Sequence, residues 1–104
     1  MILKSDIEFI RLKLLPWSGL KSVKLATSSS TTNYPDIWID MSNHVPVITV
    51  TKEWARQDVH ERRKRLVHEF LHAMGMSHDE SIGYSTYPNK DRFSKMVYMK
   101  LIAK

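Results

Sequence analysis

The chain contains no cysteine and no long apolar run, and each absence excludes a class of protein. Without cysteine there is no disulfide, no zinc–thiolate site and no cysteine nucleophile, so core packing and any bound metal must stabilise the fold. No segment approaches the roughly 18 consecutive apolar residues that a membrane span requires, and we expect no membrane partner. The first fifteen residues intersperse charged with apolar side chains, unlike the core of a signal peptide. Together with the starting methionine, this pattern predicts a cytoplasmic protein.

The length and composition are those of one small globular domain. A chain of 104 residues supports a single modest core. Hydrophobic residues make up 42% and charged residues 26% of the chain, close to the globular average, which argues against wholesale disorder. We therefore predict one domain over residues 1–104, and a monomer.

The formal net charge of +5 is spread along the chain except for one run, Arg-Arg-Lys-Arg at 62–65. We interpret this run as the solvated face of a helix, with a phosphate-binding stripe as the alternative. A nucleic-acid-binding module would combine the run with stacking aromatics such as Trp38 and Trp54. These tryptophans fall in a predicted strand and at a predicted helix start, where core roles are commoner, so we rank this reading below the one developed next.

The hydrophobic pattern predicts an α+β fold: a small mixed or antiparallel-edged sheet of three to four strands, packed on a long helix, with further helices at both ends of the chain. The first predicted element is a helix over 6–15, with a capping box at Ser5 and Glu8 and an end before Pro16. Strands are predicted near 21–27, 37–41 and 45–51. A helix follows from Lys52 or from Asp58 to Gly75, then a loop over 76–90 and a helix over 91–101. Pro46 in the third strand indicates a sheet edge.

The most informative stretch reads His-Glu-Phe-Leu-His over residues 68–72. Residues four apart share a helix face, so His68 and His72 are expected to point at one ion. Imidazole nitrogens are good zinc ligands. Glu69 is displaced by about 100° around the helix axis, which leaves it outside the ligand pair but within reach of a metal-bound water. The pattern therefore predicts two ligands and a general base.

Two further residues extend this motif. Gly75 predicts the end of the helix, because glycine readily adopts the left-handed conformation that lets the chain turn back. The turn is expected to bring His78 to the same ion. Three histidines with one open position are typical of a catalytic zinc site, and we predict one zinc per chain. His44 and His60 lack a comparable setting and are predicted to be surface or packing residues.

The complete motif resembles the extended zinc motif of the metzincin metallopeptidases, and the nearest resemblance is to the matrixins, the matrix metalloproteinase branch. Outside the motif, residues 35–39 are similar to the matrixin strand ahead of the substrate-binding edge, and 82–83 and 87–88 fall where matrixins carry similar residues. The resemblance covers residues 35–90 and is strongest over 68–78. It implies a zincin-like fold and a zinc-dependent endopeptidase, in which a zinc-bound water activated by Glu69 hydrolyses peptide bonds.

One position departs from the family pattern. Matrixins carry a methionine beneath the zinc, just before the Tyr-Pro pair, and the chain has Thr86 there. Met96 is the alternative source of that methionine, with Tyr98 as a tyrosine near the metal. We prefer the alignment on Thr86, because Met96 falls within a helical pattern. A threonine would weaken the apolar floor of the site without removing a ligand.

Other residues are expected around the cleft. Asp79 and Asp40 would either orient the ligating histidines or serve as plain turn residues. Tyr84 and Tyr87 would either line the cleft or pack within the loop. A peptide or protein substrate is expected to lie extended along an edge strand. The residues of that predicted edge strand are Val45, Val47, Ile48, Thr49 and Val50.

Two alternatives stay open beside the nucleic-acid module. The first is a zinc-binding protein of zincin fold that lacks efficient proteolysis, because the short chain and Thr86 leave the cleft less complete. The second is a peptidase that cleaves only itself or one cognate partner. The residues do not separate these readings.

Overall fold

The computed structural model combines helices with a small sheet. It describes residues 2–29, 36–42, 44–75 and 89–103, and residues 89–93 are described by their backbone alone. The elements in chain order are α1 (Lys4–Phe9), a π-helical stretch (Ile10–Leu14), α2 (Leu15–Ser18), β1 (Lys24–Thr27), β2 (Ile37–Asp40), β3 (Val47–Val50), α3 (Lys52–Ala55), α4 (Val59–Ala73) and α5 (Asn89–Ile102). The predicted α+β class is therefore confirmed.

The described strands form one mixed sheet in the order β1-β3-β2. Strand β3 pairs in parallel with β1 and antiparallel with β2, so Ile48 lies opposite both Leu25 and Ile39. The predicted antiparallel edge is present, and β2 supplies it. The helix α4 packs against β2.

The predicted location of the edge is wrong, because β3 lies in the centre of the sheet. The residues assigned to that edge were Val45, Val47, Ile48, Thr49 and Val50. Pro46 suggested an edge because proline donates no ladder hydrogen bond. It precedes the strand, however, and its carbonyl accepts a hydrogen bond from the Lys24 N–H at 2.8 Å. Pro46 contributes only its carbonyl to this pairing, so its missing N–H is compatible with a place directly before the central strand.

The core lies between the sheet and the helices. Its buried apolar members are Phe9, Ile10, Leu14, Ile37, Ile48, Val50, Trp54, Leu66, Val67, Phe70, Leu71, Tyr98 and Leu101. Trp54 is fully buried, and its indole Nε1 donates to the carbonyl of Arg62 at 3.1 Å. This tryptophan is thus a core residue that ties α3 to the first turns of α4.

Side-chain capping separates α3 from α4. The Thr51 hydroxyl accepts from the Trp54 N–H at the start of α3, and the Asp58 carboxylate accepts from the Glu61 N–H at 2.9 Å at the start of α4. That bond from Glu61 lowers the pKa of Asp58, because it stabilises the charged carboxylate. The start signal predicted at Asp58 is confirmed.

The N-terminal helical segment differs from its prediction at both ends. It begins at Lys4, and the residue before it, Leu3, provides no side-chain cap, so the capping box predicted at Ser5 is wrong. It also continues past Pro16. The Leu15 N–H bonds to the carbonyl of Ile10, which makes a wider π turn, and Pro16 then lies in the first turn of α2. A missing N–H costs little at that position.

A buried carboxylate joins α1 to α4. Asp6 is fully buried, its Oδ2 accepts from Arg62 Nε at 2.8 Å, and its Oδ1 lies 3.2 Å from Arg63 Nε. Lys64 and Arg65 pair with Glu61 and Asp36 at 2.9 and 2.7 Å. The interpretation of 62–65 as a solvated face is therefore wrong for Arg62 and Lys64, which are both 8% exposed.

The described helices are short. The longest, α4, has 15 residues, and α5 has 14. A membrane-spanning helix needs about 20 predominantly apolar residues. No helix among the described residues meets both the length and the hydropathy of a membrane span.

The Asp6 ion pairs lead to a stability prediction. Asp6→Ala leaves Arg62 desolvated without its carboxylate, and removing one partner of a buried pair costs about 3 kcal/mol. Glu8→Ala is a matched control on the same helix, because it removes the exposed Glu8–Arg11 pair, worth at most about 1 kcal/mol. Urea unfolding followed by circular dichroism measures both. Equal losses in the two variants would contradict the importance given to Asp6.

Candidate metal centre

The helix α4 brings His68 and His72 together. Their ring centroids lie 4.8 Å apart, with the ring planes at 88°. Both side chains are half-buried. The predicted pairing follows from the four-residue spacing, which places the two imidazoles one above the other on the same helix face.

Glu69 follows His68 in the helix and is buried, with 6% of its surface exposed. It follows His68 directly, so its side chain leaves the helix about 100° further round the axis. Burial shields this carboxylate from bulk water. Its interactions with neighbouring charges are therefore stronger than they would be at the surface. Glu69 is more deeply buried than either histidine of the pair.

Gly75 ends α4 as predicted. Its φ is +102°, and its N–H donates to the His72 carbonyl at 3.0 Å. A Cβ built on Gly75 would meet no atom of the described residues within 4 Å. Glycine is therefore required for its backbone conformation and not because neighbouring atoms crowd the site, since residues with a Cβ rarely adopt this φ. The helical conformation therefore ends within three residues of the second histidine.

The third predicted ligand, His78, lies outside the described residues, as do Asp79, Tyr84, Thr86 and Tyr87. Within the described ranges, no group of three or more His, Cys, Asp or Glu side chains is arranged to hold a metal ion. The donor chemistry of the described pair nevertheless fits zinc, because two adjacent imidazoles are a common part of catalytic zinc sites.

Ser94 also contacts the histidine pair, although its position in the sequence gave no indication of such a role. This residue of α5 is 2% exposed, and its Oγ lies 3.4 Å from Nδ1 of His68. Ser94, Tyr98 and Leu101 recur at helical spacing and are all buried, so the pattern could have located Ser94 on the inner face of α5. Nothing in the pattern identifies His68 as the partner, because 26 residues separate the two.

The alternative source of the methionine is not at this site. Met96 is 48% exposed on α5. The Tyr98 hydroxyl lies 2.6 Å from Nδ1 of His60, and its ring packs edge-on against Phe9. His60 is two turns of α4 away from His68, or about 12 Å along the axis. Tyr98 therefore does not lie beside the histidine pair, where this alignment placed it, and the preferred alignment on Thr86 stays a prediction.

The remaining histidines and Asp40 have other environments. His44 and His60 are exposed, and His60 contacts Tyr98, as expected of surface and packing residues. Asp40 is exposed at the end of β2, where its carboxylate accepts from the Ser42 N–H at 2.9 Å. Hydrogen bonds from Ser42 lower its pKa. Of its two predicted roles, Asp40 has that of a turn residue.

Comparison with known proteins gives no relative of this chain. No protein-family model, no curated protein and no solved structure matches it.

The conformation of Gly75 leads to a second prediction. Gly75→Ala should lower stability by about 1–2 kcal/mol, because a side chain is strained at positive φ. Gly19→Ala is the matched control, because Gly19 also has a positive φ (+76°), ends another helix and has open space around it. Both variants should lose similar stability in thermal unfolding. Only Gly75→Ala should weaken zinc binding, measured by chelator competition, and equal zinc affinities would contradict a role of this turn in the site.

Proposed function

We propose that this chain is a zinc-dependent endopeptidase of the metzincin-like kind. His68, His72 and His78 would bind one zinc ion, and Glu69 would act as the general base. The observation that carries the proposal is the pairing of His68 and His72, whose ring centroids lie 4.8 Å apart on one face of α4. Gly75 supports it, because the chain leaves the helix at this glycine, three residues before His78.

The chemistry divides between the metal and the chain. Zinc in such a site supplies a Lewis acid that polarises the scissile carbonyl and makes a bound water more acidic. A carboxylate oxygen of Glu69 would accept the proton of the attacking water and then deliver it to the nitrogen of the leaving amine. The burial of Glu69 supports this role, because the proton then moves within a sheltered region.

The substrate would be a peptide or protein in an extended conformation. Backbone pairing with such a peptide requires a sheet edge, and the edges of the described sheet are β1 and β2. We assign the peptide to β2, because α4 packs against this strand and carries the candidate centre. This assignment replaces β3, whose two sides are already paired.

The nucleic-acid alternative loses its main support. That reading needs the basic side chains at 62–65 to face a phosphate backbone. Arg62 and Arg63 instead bind Asp6, Lys64 binds Glu61, and Arg65 binds Asp36. Trp54 is buried and is not available for stacking on a base.

The proposal predicts the metal content of purified protein. The wild type should contain about one zinc per chain, and His72→Ala should contain almost none, because two histidines alone bind zinc weakly. His44→Ala is the control, since His44 is an exposed histidine on the loop before β3. Inductively coupled plasma mass spectrometry measures all three. Zinc retained by His72→Ala, or absent from the wild type, would overturn the proposed site.

The role of Glu69 leads to a separate prediction. Glu69→Gln removes the proton acceptor but preserves the size of the side chain, so zinc should be retained while peptide cleavage falls by at least about 100-fold. A quenched fluorescent peptide library, with chelation and zinc restoration as controls, measures cleavage. Zinc binding without cleavage by the wild type would favour the non-proteolytic zinc protein. Full activity of Glu69→Gln would exclude Glu69 as the base.

A further inference from the structure

The C-terminal helix α5 packs against α4 and contacts two of its histidines. Tyr98 is next to His60, and Ser94 is next to His68. The residue numbers increase along α5 as they decrease along α4, so the two helices run in opposite directions. Ser94 and Tyr98 are four residues apart and therefore lie on the same face of α5. That face presents two hydroxyl groups to two imidazoles.

Ser94 is an unusual residue for its position. The same face carries buried Tyr98 and Leu101, and Ser94 is itself only 2% exposed. A buried hydroxyl must find hydrogen-bond partners, because leaving one without them costs about 1–3 kcal/mol. The Oγ of Ser94 lies 3.4 Å from Nδ1 of His68, slightly longer than the usual N–H···O hydrogen bond of about 2.7–3.2 Å.

The contact with Nδ1 bears on which nitrogen of His68 carries the lone pair that a metal would bind. A serine within a helix commonly donates its own O–H to the carbonyl four residues earlier, and its oxygen can then accept a hydrogen bond. If Nδ1–H of His68 donates to that oxygen, the ring is in the tautomer whose lone pair is on Nε2. Only a nitrogen with a lone pair binds zinc.

We propose that Ser94 is a positioning residue for His68: its hydroxyl accepts from Nδ1–H, which fixes the ring and puts the lone pair that binds a metal on Nε2. The inference rests on the proposed function, since it assigns a role relative to the zinc ion. It also gives α5 a role in that site, because the helix supplies a hydrogen bond to a ligand as well as packing on α4. Groups that orient metal-bound histidines commonly contribute about 10–100-fold to metal affinity.

The test compares Ser94→Ala with Tyr98→Phe. Each variant removes one hydroxyl from the same face of α5, and each removes a contact with a histidine of α4. Only Ser94→Ala affects His68. A general loosening of α5 would therefore appear in both variants, whereas a specific effect on His68 would appear in one. Circular dichroism and thermal unfolding of the full chain show whether both variants stay folded.

Two measurements are made on each protein at about pH 8, where imidazoles with the ordinary pKa of about 6.5 are neutral. Long-range proton–nitrogen NMR of the metal-free protein identifies the tautomer of His68. Competition with a chelator measures the zinc affinity. We expect Nδ1–H in the wild type and in Tyr98→Phe, with a shift towards Nε2–H in Ser94→Ala. Zinc affinity should fall about 10-fold in Ser94→Ala and stay unchanged in Tyr98→Phe.

The outcomes separate this inference from the proposed function. The role of Ser94 would be overturned if the wild type and Ser94→Ala bound zinc with the same affinity. It would also be overturned if Ser94→Ala left the tautomer of His68 unchanged. Either result would leave the proposed zinc site intact. Equal losses of affinity in Ser94→Ala and Tyr98→Phe would overturn it as well, because packing of α5 would then be the cause. A wild type that binds no zinc would overturn the proposed function, and the role of Ser94 with it.

Discussion

The helical period of α4 determines which of its residues face the core and which face the candidate centre. With 3.6 residues per turn, neighbouring positions point in different directions. Leu66, Val67 and Phe70 are buried in the core and hold the helix against the rest of the fold. His68 and His72 lie along another line of the same helix and are half-buried. Packing of the first set therefore decides where the second set points.

Polar contacts from both ends of the chain hold α4 in place. Asp6 of α1 binds Arg62 and Arg63. Helix α5 contacts α4 through Ser94 and Tyr98, and the Tyr98 ring also packs edge-on against Phe9 of α1. Hydrogen bonds and ion pairs of this kind have strict geometry, whereas apolar packing tolerates small shifts. These contacts with α1 and α5 limit the rotation of α4, and with it the direction in which His68 and His72 point.

Predictions from sequence were most accurate where the interacting groups lie within one turn of each other. The start of α4 at Asp58 and its end before Gly75 depend on hydrogen bonds to residues three positions away, so the local pattern was sufficient. The spacing of His68 and His72 is equally local. The predicted cap at Ser5 was wrong because α1 begins at Lys4, two residues before the predicted start at residue 6, and Asp6 of this helix binds Arg62 of α4.

The errors in the sheet and in the basic run have a common cause, since both depend on residues distant in the chain. Pro46 indicated a sheet edge because the sequence does not show which residues pair with it. In the structure its carbonyl accepts a hydrogen bond from the Lys24 N–H, so its missing N–H does not require an edge position. The run at 62–65 looked solvated because a sequence does not show where the opposing carboxylates are. Asp6 lies 56 positions away from Arg62.

The sequence by itself determined the residue types of the candidate centre and their spacing, because helix geometry is local and converts a spacing of four into a shared face. Only the tertiary structure decided that Ser94 lies beside His68, that Asp6 neutralises the arginines of α4, and that β3 is the central strand. These contacts join segments far apart in the chain. Their proximity is set by how the whole core packs, which no local pattern of residues encodes.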